Sequence, residues 1–236
     1  MFKPLNTRAL LSAAILTLAS LHASATLVTS RGALDATGSL DWAQLGLDGD
    51  SVAVPASANT SIGGLSASVT NPGGGGGFTR FDEGVGTWTG DFASGDALLT
   101  TFGSGGSIKI DFSAGVSRVG AQIQGINFAS FDGVIEVYGA LNLLLESHTV
   151  NDPGVFGTAD NSAMFLGISR TAADIDSVIF NITGPSNLDF GINLLSLSQQ
   201  VTGTQPAVPE PGSMALVALS LAGLGLAGPM RRRTKR

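Results

Sequence analysis

The sequence contains no cysteine. This absence excludes disulfides, a thiolate nucleophile and metal sites built on cysteine sulfur. Histidine is nearly as scarce, with two among 236 residues, and charged residues make up only 13% of the chain. A chain of this length provides one ordinary domain plus appendages, and that domain is large enough for an apolar core to hold it together without staples.

Basic residues are rare in the middle of the chain. Residues 26–208 contain five basic and seventeen acidic residues, a net formal charge of −12, and the other basic residues lie near the two ends. A surface of this sign repels phosphate backbones, so the composition excludes nucleic acid as a partner. It is compatible with an extracellular protein and with weak binding of divalent cations.

The first 25 residues have the parts of a secretory signal. Lys3 and Arg8 provide positive charge, Ala9–Leu21 is apolar, and Ala23–Ala25 places small residues before Thr26. Signal peptidase and the secretion machinery require these parts in this order, which the alternative of a buried N-terminal helix does not explain. The sequence therefore predicts a signal peptide over 1–25 and an extracytoplasmic domain over 26–200.

A proline-rich motif follows a short polar linker over 201–207. It consists of Val208, Pro209, Glu210 and Pro211. Each proline fixes its own φ and pushes the preceding residue toward extended backbone. The motif is therefore expected to be a stiff, exposed strand with one carboxylate, which a processing enzyme can bind as an extended peptide.

The motif precedes an apolar segment and a basic tail. Residues 213–228 carry no charge, and the chain closes with a cluster that includes Arg231, Arg232 and Arg233. Sixteen residues are short for a bilayer span, although the flanking Pro and Gly residues extend the segment. The basic cluster is expected to stop transfer and stay cytoplasmic, with the domain outside.

Together, the motif, the apolar segment and the basic tail over 208–236 closely resemble the PEP-CTERM sorting signal. The resemblance implies export by Gram-negative bacteria that make extracellular polysaccharide. It also implies recognition and cleavage by an exosortase, a membrane-embedded cysteine transpeptidase whose nucleophile lies outside this chain. The alternative is a plain membrane anchor preceded by a chance Pro-Glu-Pro. The resemblance concerns trafficking and says little about the domain itself.

The middle of the chain shows short runs with a period of two, separated by turn residues. This pattern predicts an all-β antiparallel sandwich or jelly roll. Asp41–Leu45 and Leu65–Val69 are less clear candidates, and Leu141–Leu145 could instead be a short helix. The predicted strands after residue 100 are Ser107–Phe112, Val119–Ile123, Val134–Tyr138, Leu141–Leu145, Ala163–Ile168, Ser177–Ile182 and Leu188–Leu194.

Catalytic residues are not apparent in this domain. His148 is the only histidine after the signal peptide, and no Gly-x-Ser-x-Gly elbow accompanies it, so a strand or loop histidine is the better interpretation. A glycosidase needs two carboxylates that converge across a cleft, which sequence cannot establish. The candidates are Asp82 with Glu83, Glu136, Glu146, and Asp174 with Asp176.

Two short acidic loops could hold calcium through hard oxygen ligands. They are Asp48 with Asp50 and Asp174 with Asp176, and neither fits the EF-hand pattern. The Asp48–Asp50 loop could equally be a hairpin turn. No cofactor is predicted, apart from calcium as a possibility.

Trp88 is the candidate for contact with a glycan. It lies in a Gly- and Thr-rich stretch, and an exposed indole face matches the apolar face of a pyranose. The alternative is a Trp88 buried in the core.

These observations predict a non-enzymatic envelope or extracellular-matrix protein, sorted by an exosortase and linked to extracellular polysaccharide or biofilm. The expected partners are the exosortase, signal peptidase with the secretion machinery, the membrane and polysaccharide. A carbohydrate-binding module, assisted by calcium, is the alternative, and a polysaccharide hydrolase ranks behind it.

Overall fold

The computed structural model describes residues 25–85, 88–126, 129–154, 157–184 and 189–199. The chain divides into two units, Met1–Gln200 and Val201–Arg236, and all described residues belong to the first. They form two antiparallel β-sheets, which confirms the predicted β-sandwich. No helix among the described residues is long and apolar enough to cross a bilayer.

The first sheet has nine strands in the order β1-β12-β9-β14-β7-β6-β3, with β15 between β9 and β2. Its strands are β1 (Ala25–Val28), β2 (Gly38–Leu40), β3 (Ser51–Val52), β6 (Phe78–Asp82), β7 (Ala97–Thr100), β9 (Arg118–Gly125), β12 (Met164–Arg170), β14 (Phe190–Ile192) and β15 (Leu195–Ser198).

The second sheet has six strands in the order β11-β10-β13-β8-β5-β4. Its strands are β4 (Ala56–Asn59), β5 (Ser66–Thr70), β8 (Ile108–Val116), β10 (Phe131–Gly139), β11 (Leu143–Asp152) and β13 (Ile175–Thr183).

The core lies between the two sheets and follows the period of two in the sequence. Val119, Ala121 and Ile123 of β9 point inward toward Ile108 and Ile110 of β8, and all five are fully buried. Burying each large apolar side chain stabilises the fold by about 1.5–3 kcal/mol. This burial explains how a domain without disulfides is held together.

Most of the predicted strands are confirmed, and three interpretations change. Asp41–Leu45 is not a strand but a 3₁₀ turn over Trp42–Leu45, because Asp41 Oδ1 accepts a hydrogen bond from Ala43 N at 2.9 Å and caps it. Leu141 belongs to a 3₁₀ turn over Ala140–Asn142, and β11 starts after it.

The predicted Leu188–Leu194 strand is interrupted. Leu188 lies outside the described residues, and the ladder breaks between β14 and β15 at Asn193 and Leu194. At this break, the Asn193 side chain takes part in a buried hydrogen-bond network with Arg31 and Gln122.

The strand connections give the sandwich two distinct ends. Ser117 N donates to Ser198 O at 2.7 Å and Arg170 N donates to Ser117 O at 2.8 Å, while Ala25 pairs with Arg170. These residues define the terminal end, where the described chain both enters and leaves. The opposite end, called distal here, holds the β9–β10 connection and Thr183.

Candidate functional site

The residues of the predicted sorting signal lie outside the described residues. They are Val208, Pro209, Glu210, Pro211, Arg231, Arg232 and Arg233.

Trp88 is buried, so the expectation of an exposed glycan platform is wrong. The side chain is 3% exposed and packs with Phe81, Phe92 and Leu98 in a small cluster apart from the main core. Its ring centroid lies 6.3 Å from that of Phe81 and 6.2 Å from that of Phe92. The Gly/Thr-rich sequence around Trp88 is typical of an exposed loop. Here the loop folds over apolar residues of the neighbouring strands, so the Trp88 side chain is buried.

The first candidate calcium loop is a turn whose carboxylates bind backbone amides. Asp48 Oδ1 accepts from Asp82 N at 2.8 Å, and Asp50 Oδ2 accepts from Leu47 N at 2.7 Å. Gly49 sits between them at φ 84°, a conformation suited to glycine. The alternative of a turn therefore describes this loop.

In the second candidate calcium pair, Asp174 forms an ion pair with Arg170. Asp174 receives two hydrogen bonds from Arg170, Nε to Oδ1 at 2.7 Å and Nη2 to Oδ2 at 2.9 Å. This bidentate contact lowers the pKa of Asp174. Asp176 follows on β13. Among the described residues, no group of three or more His, Asp or Glu side chains is arranged to hold a metal ion.

The remaining carboxylate candidates on the surface have local partners. Asp82 pairs with Arg80, and Glu136 Oε2 accepts from the Tyr138 hydroxyl at 2.7 Å. That hydrogen bond raises the pKa of Tyr138 to about 12. His148 Nε2 lies 3.2 Å from Glu146 Oε1 on β11, as expected for a strand histidine.

The structure brings together two carboxylates that the sequence did not pair. Glu83 and Asp91 both belong to the 83–96 loop, and both side chains are fully buried. Asp91 accepts from Gln124 Nε2 at 2.7 Å and from Thr158 N at 3.0 Å. Glu83 Oε1 accepts from Gly90 N at 2.7 Å, but its Oε2 and the Trp88 indole nitrogen have no hydrogen-bond partner.

Burial raises the pKa of Glu83, and the charge of Asp91 adds to that effect against the backbone hydrogen bonds from Gly90 and its neighbours. Since neither carboxylate is exposed, the pair has no access to a substrate in this conformation.

A polar network covers the outer face of the nine-stranded sheet beside this pair. Asn193 is its centre. Asn193 Oδ1 accepts from Arg31 Nη2 at 2.8 Å, and Nδ2 donates to Gln122 Oε1 at 2.6 Å and to Asp96 Oδ2 at 2.7 Å. Gln122 Nε2 in turn donates to Ala163 O at 3.0 Å. Buried polar groups need such partners, so the network fixes the loops that cover it.

Arg31 brings this network to the surface in a cleft of about 350 Å³. Ser30 caps the short helix Arg31–Leu34 by accepting from Ala33 N, which positions the arginine at the start of that helix. Its guanidinium lies 5.4 Å from the centroid of the Phe165 ring, within the range of a cation–π contact. Hydroxyl and amide groups of Thr29 and Asn161 also line the cleft.

Arg31 differs from the other basic residues of the described chain. Arg80, Lys109, Arg118 and Arg170 each pair with an aspartate, whereas the contacts of Arg31 are neutral oxygens of Leu194, Ser196, Asn193 and Gln122. Desolvation lowers the pKa of Arg31, and the charge of Asp96 opposes the shift. Within the described part of the chain, the cleft therefore combines a cation whose hydrogen-bond partners are neutral oxygens with hydroxyls, amides and an aromatic ring.

Sequence reasoning did not identify this cleft. Arg31 is separated by 91 positions from Gln122 and by 162 from Asn193. The sequence around Arg31 contains no pattern that predicts contacts over such distances. One feature of the sequence could have drawn attention to Arg31: it is one of only five basic residues over 26–208.

No protein-family profile matches the chain, and no curated protein is similar to it. Among solved structures, the chain is similar to the isomalto-dextranase of Arthrobacter globiformis T6 complexed with panose. The similarity covers 74% of this chain at 15% identity and a TM-score of 0.28. The chain spans about a third of the length of that enzyme, since the match covers 32% of it.

Proposed function

We propose that this chain is an exported, non-enzymatic protein of the cell envelope or extracellular matrix, delivered by a C-terminal sorting signal. The observation that carries the proposal is the ordered succession of the Pro209-Glu210-Pro211 motif, the apolar segment 213–228 and the terminal arginines. The partner is an exosortase-type membrane transpeptidase, and the destination is a matrix of extracellular polysaccharide.

The folded domain is compatible with this proposal. A sandwich that needs no disulfide is suited to export, because its apolar core forms without an oxidising enzyme.

The intact mass of the protein from its native host, measured in membrane and medium fractions, tests the proposal. A species that begins at Thr26 and lacks everything from about Pro209 onward is expected. A membrane species that keeps Arg236 would reduce the tail to a plain anchor.

A matched pair of variants separates the motif from the linker. Replacing Pro209, Glu210 and Pro211 by alanine is expected to abolish processing, because the segment loses its extended geometry and its carboxylate. Pro206→Ala, in the linker outside the motif, is expected to leave processing unchanged. Equal processing of the two variants contradicts recognition through the motif.

A carbohydrate-binding module is the second candidate, and the Arg31 cleft favours it. The cleft offers hydroxyl and amide groups beside the apolar side chains of Val150, Met164 and Phe165. This mixture suits a sugar, whose hydroxyls and C–H faces need both kinds of contact. Its volume of about 350 Å³ falls within the range of small-ligand sites.

A glycan array with the full chain tests this second function. Arg31→Gln is expected to weaken binding at least several-fold, because it removes the charge at the base of the cleft. Arg118→Gln, whose arginine instead pairs with Asp35 at 2.9 Å, is the control and is expected to bind normally. Absence of binding by the unaltered chain, with and without calcium, rejects the carbohydrate-binding module.

A further inference from the structure

Arg31 carries a positive charge that no described carboxylate contacts. The other basic residues in the described part of the chain each form an ion pair with an aspartate. Asp96 acts on Arg31 electrostatically, but the Asp96 carboxylate accepts its hydrogen bonds from Asn193 Nδ2 and Ala93 N. A cation that is partly removed from water is stabilised most by an anion in direct contact. The cleft beside Arg31 is where such an anion can reach it.

The hydrogen bonds of Arg31 hold its guanidinium in one orientation. Nη1 donates to Leu194 O and Ser196 Oγ, and Nη2 donates to Asn193 Oδ1 and, over a longer distance of 3.5 Å, to Gln122 Oε1. A guanidinium has five N–H donors, and no described residue accepts from Nε. Arg31 therefore lines the cleft as a fixed cation with one donor that the described residues do not use.

Uncharged polar groups accompany this cation in the cleft. Thr29 and Asn161 are exposed lining residues, and their side chains form no hydrogen bond with another described residue. The Ser30 hydroxyl accepts from Ala33 N and keeps its own proton for a ligand. None of the described residues that line the cleft is acidic. The lining therefore favours an anion that also accepts hydrogen bonds.

The same cleft has an apolar side. Val150 and Met164 are half-buried lining residues, and the Phe165 ring centroid lies 5.4 Å from the Arg31 guanidinium. A simple inorganic anion gains nothing from these side chains, whereas the C–H face of a sugar packs against them. Charge, hydroxyl groups and an apolar face occur together in an acidic sugar.

We propose that the Arg31 cleft binds a sugar that carries a carboxylate, such as a uronic acid unit of an extracellular polysaccharide. The proposal rests on the second candidate function, carbohydrate binding in this cleft, and adds the charge of the ligand. The carboxylate contacts Arg31, and the sugar hydroxyls bind Thr29 and Asn161. The C–H face packs against Val150 and Met164.

The charge of the whole domain restricts how many carboxylates the ligand can carry. Residues 26–208 have a net formal charge of −12, and the exposed Asp160 directly precedes Asn161. This field repels a polymer with a carboxylate on every sugar, as it repels a phosphate backbone. The favoured ligand is therefore a single uronic acid flanked by neutral sugars.

A glycan array of matched pairs, probed with the full chain, tests the proposal. Each uronate-bearing oligosaccharide is printed beside the same oligosaccharide with its carboxyl group reduced to an alcohol. One such pair is glucuronic acid linked to xylobiose and its reduced, neutral form, and trigalacturonate represents the densely charged ligands. The acidic form is expected to bind about tenfold more tightly than the neutral form, because it adds a charge-assisted hydrogen bond. Trigalacturonate is expected to bind more weakly than the singly charged trisaccharide.

Asn161→Asp places a carboxylate in the cleft at almost unchanged shape, and aspartate also tolerates the φ of 68° at this position. This variant is expected to lose the preference for the acidic form and to keep binding the neutral form. Asn59→Asp is the matched control, because it adds the same charge at an exposed position of β4 in the other sheet. Arg31→Gln is expected to lower binding of the acidic form to the level of the neutral form. Circular dichroism verifies that all three variants are folded.

Each contrary outcome has a distinct meaning. Equal binding of the acidic and neutral forms contradicts the charge of the ligand and leaves carbohydrate binding intact. Absence of binding to every glycan contradicts both. Equal behaviour of Asn161→Asp and Asn59→Asp places the ligand outside the cleft and overturns the proposal. Inorganic phosphate that competes as well as the acidic trisaccharide identifies a general anion site and overturns it as well.

Discussion

At the residue scale, Glu83 and Gly90 show how tightly the 83–96 loop is built. An ideal Cβ on Gly90 would overlap Gln124 Oε1 and would lie 2.8 Å from Trp88 Nε1 and 3.1 Å from Glu83 Oε2. Only a residue without a side chain lets these three polar groups approach the same stretch of backbone. The unpartnered Glu83 Oε2 and Trp88 Nε1 atoms are thus held near each other in a buried place.

Glu83→Gln is expected to change how stability depends on pH. The folded state holds the Glu83 proton more tightly than the unfolded chain, because its pKa is raised on folding. The free energy of unfolding therefore declines as pH rises through the folded pKa, and the neutral glutamine lacks this decline. Urea titrations across neutral and acidic pH measure it, and superimposable profiles for variant and parent contradict it.

Gly90→Ala is expected to lower the free energy of unfolding by about 1–3 kcal/mol, because the added methyl group overlaps buried atoms. Gly32→Ala is the matched control. A Cβ on Gly32 meets nothing within 4 Å in the helix Arg31–Leu34, so this change is expected to be neutral or to stabilise by up to about 1 kcal/mol. Chemical denaturation of both variants compares them, and equal effects would refute the steric argument.

At the element scale, the contact between Arg170 and Asp174 holds the passage from β12 to β13. The chain crosses there from one sheet to the other within a few residues. The Arg170 side chain is 7% exposed and that of Asp174 38%, so the pair is partly screened by water. The bidentate geometry fixes the corner between the two layers.

Asp174→Asn is expected to cost about 1 kcal/mol at neutral pH, since it leaves a buried guanidinium without its charged partner. The pKa of Asp174 is lowered on folding, so its contribution is present above the unfolded pKa and is lost as pH falls through the folded pKa. Asp111→Asn, which affects the more exposed pair with Lys109, is the control and should cost less. Thermal unfolding at neutral and low pH decides between them.

Elements with an unbroken period of two could be predicted from the sequence. Ser107–Phe112 and Val134–Tyr138 match β8 and β10, because alternating burial leaves its pattern in each strand. The strand predicted over Asp41–Leu45 is wrong, because the capping carboxylate of Asp41 favours a 3₁₀ turn over the extended structure that the local apolar pattern indicated. The break at Asn193 could not be predicted from the local sequence, and the side-chain partners of Asn193 are distant in sequence.

The candidate site was harder to predict from the sequence than the fold. The Gly- and Thr-rich sequence around Trp88 suggested an exposed side chain. The burial of an aromatic side chain depends instead on which loop covers it, which the local composition does not show. Arg31 was not predicted as a site residue, because its hydrogen-bond partners come from segments distant in sequence. Long-range polar contacts carry no periodic signature, whereas the strands that position them do.

At the scale of the whole molecule, one main core cluster spans both sheets, and four of the five basic residues in the described part of the chain form ion pairs with aspartates. The domain has few basic residues, and four of them neutralise aspartates beside them. The excess of negative charge therefore remains on the surface, where it favours solubility.

A fragment of residues 25–200 is expected to unfold in a single transition, because a shared core makes the two sheets cooperative. Its melting temperature is expected to be unchanged by a chelator, since Asp48, Asp50 and Asp174 are occupied by amide or guanidinium donors. Differential scanning calorimetry with and without EDTA measures both properties. Two separate transitions, or a melting temperature that falls on chelation, would contradict the respective expectation.

The meeting of the described chain's two ends at the terminal end of the sandwich has a practical consequence. Ala25 and Ser198 both connect to the Arg170–Ser117 corner, so a short peptide could join them. Opening the chain at Gly184, beyond the distal end of β13, would then give a circular permutant that retains every strand pairing of both sheets. The same position could carry an inserted epitope, displayed at the end of the sandwich opposite Ala25 and Ser198.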